Sequence, residues 1–176
     1  MTTYDELDGP AHAHTARLCL RRPAPGDHTA MHEIHADPRT NEHNPGGPAG
    51  DPHETRAWLD GWIAEWDEHG LGYWSVRETC EGEVIGLTGV RRADIGGLAS
   101  YNLAYRFRPE TWGRGYAQEA ADAAVTAAAR ADPARRVAAV LRPSNAPSRK
   151  IALRAGLSYA GMVDHHGEPA ELYVGG

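Results

Sequence analysis

Trp112-Gly113-Arg114-Gly115-Tyr116-Ala117 is the stretch of sequence that decides how this chain is interpreted. It lies between residues 101–107, which alternate polar and apolar side chains like a strand, and residues 115–131, an alanine-rich segment that favours a long helix. The two glycines allow a tight turn and a close approach of a ligand to the backbone. Free N–H groups and the helix dipole attract anions at a helix start, so this turn predicts a phosphate or pyrophosphate site.

Two common phosphate-binding patterns do not fit this turn. A dinucleotide-binding fingerprint needs a third glycine where this chain has Gln118, and a Walker loop needs a Gly-Lys-Ser/Thr sequence that does not follow. On spacing alone, a purely structural role for Gly113 and Gly115 stays open.

A second feature runs from Asn145 to Leu157. It directly follows residues 137–141, a short apolar run that is typical of a buried central strand. Asn145 is a good helix cap, and Ser148 falls in the first turn of the helix that it would start. The Ser148 hydroxyl is therefore either part of the cap or a proton donor to a leaving thiolate.

Charge is distributed unevenly along the chain. There are 24 acidic and 18 basic residues in total, but residues 133–163 contain no acid and six of the basic residues. A local positive region on an acidic protein predicts a small anionic ligand rather than a nucleic acid. The alternative is chance clustering on a solvated surface.

Composition and cysteine count limit the class of protein. The 176 residues are 41% hydrophobic and 24% charged, which is typical of one globular domain. No apolar stretch approaches the 18 or so residues of a membrane-spanning helix, so we expect no membrane partner. We interpret Cys19 and Cys80 as reduced thiols that form neither a disulfide framework nor a metal site, and expect a cytoplasmic protein.

The rest of the pattern predicts one mixed sheet with helices on it. Residues 1–14 are interpreted as a flexible tail, and residues 15–176 as a single domain. Strands are predicted over residues 17–21, 73–76, 84–90, 101–107, 137–141, 157–162 and 172–174, and helices over residues 27–37, 51–70, 115–131 and 145–156. Asp27 and Asp51 are the predicted caps of the first two helices. The tryptophan stripe Trp58, Trp62 and Trp66 is better explained by core packing than by an aromatic ligand platform.

Taken together, these motifs resemble the Gcn5-related N-acetyltransferase (GNAT) family. The resemblance is strongest to its ribosomal-protein N-terminal (RimJ/RimL-type) acetyltransferase branch. It covers residues 17–174, with its central match over residues 105–120 and its closing match from Asn145-x-x-Ser148 to Gly156-Leu157. The family implies an α/β fold with a single mixed, mostly antiparallel, seven-stranded sheet flanked by about four helices.

The resemblance also implies acetyl-coenzyme A as the cosubstrate and no metal. In this sequence the implied coenzyme-binding residues are Tyr105, Phe107, Trp112, Gly113, Arg114, Gly115, Tyr116, Ala117, Asn145 and Ser148. The backbone N–H groups of residues 114–117 would hold the pyrophosphate. The backbone N–H of Tyr105 would stabilise the thioester oxygen, and Ser148 would protonate or hydrogen-bond the departing thiolate. These two are the implied catalytic residues.

Two departures from the family pattern affect the expected mechanism. Many relatives have a tyrosine acid where this chain has Ala152, and relatives of this branch often have a glutamate where it has Asn102. A site without a strong base suits an amine that is already partly neutral, such as an α-amine. The expected acceptor is a protein N-terminus or a small-molecule amine, such as a polyamine or an aminoglycoside. The expected assembly is a monomer or homodimer. The alternative is a coenzyme A-binding sensor or scaffold domain with little catalysis.

Two groups of histidines are further candidates. His165 and His166 precede the last strand and are possible bases, or else solvated loop residues. His28, His32 and His35 have helical spacing and could share a metal, but nothing in the sequence clearly completes such a site.

Overall fold

The computed structural model describes residues 5–6, 11–44 and 46–175. Across these residues it contains nine strands and four α-helices. The strands are β1 (Asp5–Glu6), β2 (His12–His14), β3 (Cys19–Arg21), β4 (Tyr73–Arg77), β5 (Gly86–Ile95), β6 (Leu98–Phe107), β7 (Arg136–Leu141), β8 (Ser158–His165) and β9 (Glu168–Gly175). The helices are α1 (His28–Ala36), α2 (Pro52–His69), α3 (Tyr116–Ala131) and α4 (Ala146–Arg154).

All the strands belong to one sheet, in the order β1-β2-β3-β4-β5-β6-β7-β9-β8. Every neighbouring pair is antiparallel except β6 and β7, which are parallel. The mixed, mostly antiparallel α/β fold is therefore confirmed, and each of the seven predicted strands is present. The strand count differs because β1 and β2 add two more at one edge.

The N-terminal residues correct the predicted tail where they are described. Residues 12–14 form a strand that pairs with β3, and Ala13 is fully buried in the core. A three-residue strand is too short to give a clear period-two pattern in sequence, which is why it was not predicted. Residues 1–4 and 7–10 of the predicted tail lie outside the described residues.

The core lies on both faces of the sheet. On one face α3 packs with many small side chains, and on the other α1 and α2 pack over β4 and β5. The buried alanines of α3 are Ala120, Ala121, Ala123, Ala124, Ala127 and Ala128. Trp62 and Trp66 are also buried, which agrees with the core interpretation of the tryptophan stripe. No helix among the described residues is both long and apolar enough to cross a bilayer.

The ends of α2 match the prediction, but the start of α1 does not. Asp51 caps α2 by accepting a hydrogen bond from the His53 N–H at 2.8 Å, and Gly70 ends it in the left-handed conformation. The Asp27 side chain makes no cap bond. It is buried, and it accepts hydrogen bonds from the Ser75 hydroxyl and the Arg77 guanidinium, both at 2.6 Å. Asp27 therefore bonds two residues of β4 and does not cap α1, the role that the sequence predicted.

The cysteine interpretation was wrong. Cys19 and Cys80 form a disulfide across 61 residues of sequence, with a Cα–Cα distance of 5.3 Å. Cys19 lies opposite Arg77 in the β3–β4 pairing, and Cys80 follows in the next turn. The cysteine count alone carried no information about this proximity, because it depends on the pairing of β3 with β4.

Gly89 in β5 occupies a position that requires glycine. Its φ is 141°, and a Cβ there would overlap the Gly72 carbonyl and the Tyr73 backbone on β4. We expect Gly89→Ala to lower the free energy of unfolding by about 2–4 kcal/mol. Urea unfolding measures this loss.

Gly61 provides the matched control for that change. It lies inside α2, and an added methyl group would have no neighbouring atom within 4 Å, so Gly61→Ala should raise the free energy of unfolding by about 0.5–1 kcal/mol. A Gly89→Ala variant as stable as the wild type would contradict the close β4–β5 contact.

Candidate active site

A large cavity opens where β6 and β7 separate. The two strands pair only from Ser100 opposite Arg136 to Asn102 opposite Ala138, although β6 continues to Phe107 and β7 to Leu141. A cavity of about 810 Å³ occupies the gap, and the starts of α3 and α4 border it. A parallel strand that parts from its neighbour leaves backbone groups without a ladder partner, which a ligand can use.

The direction of the β6 backbone groups follows from one hydrogen bond. The N–H of Arg108 donates to the Ile85 carbonyl, on the β5 side, at 2.9 Å. Because backbone groups alternate between the two edges of a strand, the N–H groups of Tyr105 and Phe107 face the cleft. The Phe107 carbonyl agrees with this, since it accepts a hydrogen bond from the Trp112 indole at 2.9 Å rather than from β5.

The start of α3 forms the second wall of the cavity. Gly115 is its N-cap, with φ of 80°, a left-handed conformation that glycine adopts without strain. The N–H groups of the first helical turn have no carbonyl partner within a helix, so those of Tyr116 and Ala117 are available to a ligand. Helix geometry and dipole together make this a site for an anion.

A buried carboxylate fixes this helix start to the chain before β3. Glu119 accepts hydrogen bonds from the Thr15 hydroxyl at 2.5 Å and from the backbone N–H and Nε of Arg17 at 2.8 and 2.7 Å. Burial opposes its charge, but these bonds outweigh burial and hold the pKa of the Glu119 carboxyl below its usual value. Arg17 also donates to the Arg114 carbonyl at 2.8 Å, so it contacts both the helix and the glycine turn.

Two guanidinium groups flank the Tyr116 ring beside that turn. The Arg17 and Arg114 guanidinium carbons lie 4.8 and 4.7 Å from the ring centroid. Arg114 also pairs with Glu78 at 2.7 Å, and the Tyr116 hydroxyl donates to the same carboxylate. These contacts hold the turn in place, and each of the two guanidinium groups is paired with a carboxylate. Arg17 was not predicted to lie at this helix start, because Arg17 and Glu119 are 102 positions apart in the sequence.

The start of α4 forms the opposite wall. The Asn145 side chain accepts a hydrogen bond from the Ser148 N–H at 3.1 Å, so Asn145 caps the helix as predicted. The Tyr105 hydroxyl donates to the Ser148 carbonyl at 2.9 Å, which ties β6 to α4. Burial raises the pKa of the Tyr105 hydroxyl to about 12, so this phenol stays protonated. Ala152, where many relatives have a tyrosine, is fully buried.

The structure brings nine of the ten predicted coenzyme residues to this one cavity, the exception being Arg114. Lining it are Tyr105, Phe107, Trp112, Gly113, Gly115, Tyr116, Ala117, Asn145 and Ser148. Three basic residues of the acid-free segment line it too: Arg142, Lys150 and Arg154. Arg142 also pairs with Glu168, and Arg149, outside the lining, pairs with Glu171 at 3.0 Å. The positive segment therefore contributes in part to the cavity and in part to ordinary surface pairs.

The other face of β6 carries a different set of polar groups. Asn102 and Arg106 both line the cavity, and Arg106 donates to the Asn41 side chain at 2.8 Å. Burial lowers the pKa of Arg106, and no carboxylate forms an ion pair with it among the described residues. A half-buried guanidinium without a countercharge favours a ligand with an anionic group.

The candidate histidines fall into separate surroundings. His165 lines the cavity, and burial, then His166 and Arg142, lower its pKa. His166 lies in the β8–β9 turn and lines a second hollow. The α1 histidines do not converge on a shared metal. Their ring nitrogens instead bond the Pro52 carbonyl, the Thr55 hydroxyl and the Met31 carbonyl, and burial lowers the pKa of His35 to about 4.

Sequence and structure comparisons agree with this geometry. Residues 17–158 match the family model of the acetyltransferase (GNAT) domain. The chain therefore belongs to the GNAT acetyltransferase family. YkkB of Bacillus subtilis (strain 168) is 27% identical to it over 123 residues, which are 70% of this chain and 72% of that protein.

Solved structures share the fold over nearly the whole chain. An acetyltransferase from Agrobacterium tumefaciens str. C58 has a TM-score of 0.80 and 26% identity, covering 99% of this chain and 97% of its own. RimL, a ribosomal L7/L12 alpha-N-protein acetyltransferase in complex with coenzyme A, has a TM-score of 0.69 and 18% identity, covering 90% and 93%. At 18% identity, the similarity to RimL shows that the two chains share a fold. Family membership supports acetyl-coenzyme A as the donor.

Proposed function

We propose that this chain transfers the acetyl group of acetyl-coenzyme A to an amine by direct attack, without a covalent enzyme intermediate. The observation that carries the proposal is the separation of β6 from β7 beside the start of α3. It brings a helix N-terminus, cleft-facing N–H groups and the Ser148 hydroxyl to one cavity. These are the groups that an acyl thioester, its pyrophosphate and its leaving thiolate require.

The donor would lie along the cleft edge of β6. The pyrophosphate binds at the backbone N–H groups of residues 114–117, in the turn that Arg17 holds through the Arg114 carbonyl. The pantetheine arm pairs with the open edge of β6 near Phe107, and the Nδ2 group of Asn145 remains available to it, since its oxygen caps α4. The RimL structure in complex with coenzyme A, which shares this fold, supports coenzyme A as the ligand.

The transition state would use two groups from this cavity. The Tyr105 N–H, which faces the cleft, hydrogen-bonds the thioester oxygen as negative charge develops there. Ser148 donates a hydrogen bond or a proton to the departing thiolate. The Tyr105 hydroxyl does not compete for that role, because its hydrogen is given to the Ser148 carbonyl and its pKa is raised to about 12.

The acceptor would reach the thioester from the Asn102 and Arg106 side of β6. Asn102 is not a base, and the side chains of the cavity lining that can accept a proton are Glu42, His43 and His165. A site of this sort favours an amine with a low pKa, and Arg106 favours an acceptor with an anionic group. An α-amine with an anionic group nearby, on a protein N-terminus or on a small α-amino compound, fits both conditions.

A coenzyme A-binding sensor with little catalysis is the second candidate. Ala152 and Asn102 favour it, because each replaces a group that relatives use in proton transfer. Coenzyme binding without thiol release across a broad amine panel would support the sensor and contradict acetyl transfer.

The coenzyme site is tested by Gly115→Asp. The new carboxylate would lie where the pyrophosphate binds, near the Arg17 guanidinium, which is 3.3 Å from a Cβ at this position. We expect the affinity for acetyl-coenzyme A, measured by calorimetry, to fall at least about tenfold. Gly97→Asp is the matched control. Gly97 has φ of 84° and open space around it, in the β5–β6 turn. Equal affinity in both variants would remove this turn from the coenzyme site.

The leaving-group role is tested by Ser148→Ala. We expect kcat to fall by about 10²-fold with little change in coenzyme affinity, if the hydroxyl is the general acid. Ser144→Ala, one residue before the cap, is the control and should keep the wild-type kcat. A normal kcat in Ser148→Ala would assign its hydroxyl to the helix cap alone.

The acceptor class is tested with two peptides, one with only a free N-terminus and one N-blocked with a single lysine. Near pH 7.4 an α-amine is about a fifth neutral and a lysine about a thousandth, so the first should react faster. Its kcat/KM should rise with pH and level near the pKa of the α-amine, or earlier if His165 is the base. Equal turnover of the lysine peptide at pH 7 would show that an efficient base exists.

A further inference from the structure

Four side chains of metal-ligating type meet near the outer end of the sheet, away from the cleft. They are His12 and His14 of β2, Cys19 of β3, and Cys80 in the turn after β4. None of them lines the active-site cavity. Their ligand atoms all lie within 4.8 Å of one another. Two imidazoles and two thiols are the donor set of a structural zinc site.

Strand register explains why these side chains meet. His12 and His14 are two residues apart on β2, so both project to the face opposite the fully buried Ala13 between them. Cys19 lies directly across from His14 in the β2–β3 pairing, which places its side chain on the same face. Cys80 joins this group from the turn that follows β4, whose last residue Arg77 is paired with Cys19. The arrangement therefore follows from the strand pairing.

Three nitrogen–sulfur distances match those of a tetrahedral metal site, whereas the two sulfurs are bonded to each other. The His12 Nε2 atom is 3.4 Å from the Cys19 sulfur and 3.5 Å from the Cys80 sulfur, and the His14 Nε2 atom is 3.4 Å from the Cys80 sulfur. In a tetrahedral site with Zn–S of about 2.3 Å and Zn–N of about 2.0 Å, each sulfur lies about 3.5 Å from each nitrogen. The two sulfurs of such a site lie about 3.8 Å apart, so the disulfide must open first.

We propose that His12, His14, Cys19 and Cys80 bind one Zn²⁺ ion when the two cysteines are reduced. A phosphine reductant supplies the electron pair that opens the disulfide, and with water it yields the phosphine oxide and two thiols. Each thiol then loses its proton as its sulfur binds the metal. Two thiolates and two imidazoles favour Zn²⁺ over the harder Mg²⁺ and Ca²⁺. The site would fasten β2 and β3 to the turn after β4, as the disulfide does in the oxidised chain.

The test uses the full-length protein, reduced with a phosphine without oxygen and freed of metal by a chelator. One equivalent of Co²⁺ should give the visible absorption of a tetrahedral site and a near-ultraviolet thiolate-to-cobalt band. One equivalent of Zn²⁺ should remove both. Competition with a chromophoric chelator should give a zinc Kd of about 10 nM or lower. The unreduced protein should give no thiolate band.

Variants separate a built site from adventitious metal binding. Cys80→Ser and His12→Gln should each weaken zinc binding at least about a hundredfold, and His53→Gln, which changes an exposed histidine outside the group, should leave it unchanged. If circular dichroism shows that Cys80→Ser does not fold, His14→Gln keeps both cysteines and carries the same expectation. A cobalt spectrum without the thiolate band, or wild-type affinity in His12→Gln, would overturn the proposal. Neither readout depends on acetyl transfer.

Discussion

The separation of β6 and β7 is the constraint on which the rest of the site depends. The strands share only three paired positions, and beyond them each keeps one outer neighbour while its inner edge faces the cavity. Buried backbone groups need partners, so an open edge between two central strands is stable only where a ligand or solvent reaches it. The helices α3 and α4 begin at this opening, and their first turns face the same space.

Glu119 connects that opening to the other half of the sheet. A carboxylate this buried is costly unless it is fully hydrogen-bonded, and Thr15 and Arg17 provide the bonds. Arg17 in turn holds the Arg114 carbonyl, so the glycine turn is fixed from outside its own helix. The anion site is thus built from three separate parts of the chain, of which only the glycine turn has a local signature.

Local patterns in the sequence predicted most of the fold. The α2 caps, the alternation in β6 and the turn before α3 are short-range features, and each of the seven predicted strands has a local alternation or apolar run of its own. The features that were not predicted depend on strand pairing or on other tertiary contacts. They include the two added strands at the edge, the Cys19–Cys80 disulfide, the Asp27 contacts with β4 and the approach of Arg17 to Glu119. Residues far apart in sequence gave no period or motif that would indicate these contacts.

The alanine face of α3 also sets a distance. A helix is a rigid rod, and the height at which it rests on a sheet is fixed by the side chains between them. With little more than methyl groups beneath it, α3 lies close to β5 and β6, where Tyr105 has its backbone N–H. A larger side chain at Ala124, about two turns into α3, would increase the distance between the helix and the sheet. It would also shift the N-terminus of α3 relative to the Tyr105 N–H. The alanines therefore act as a spacer that keeps the two halves of the proposed donor site in alignment.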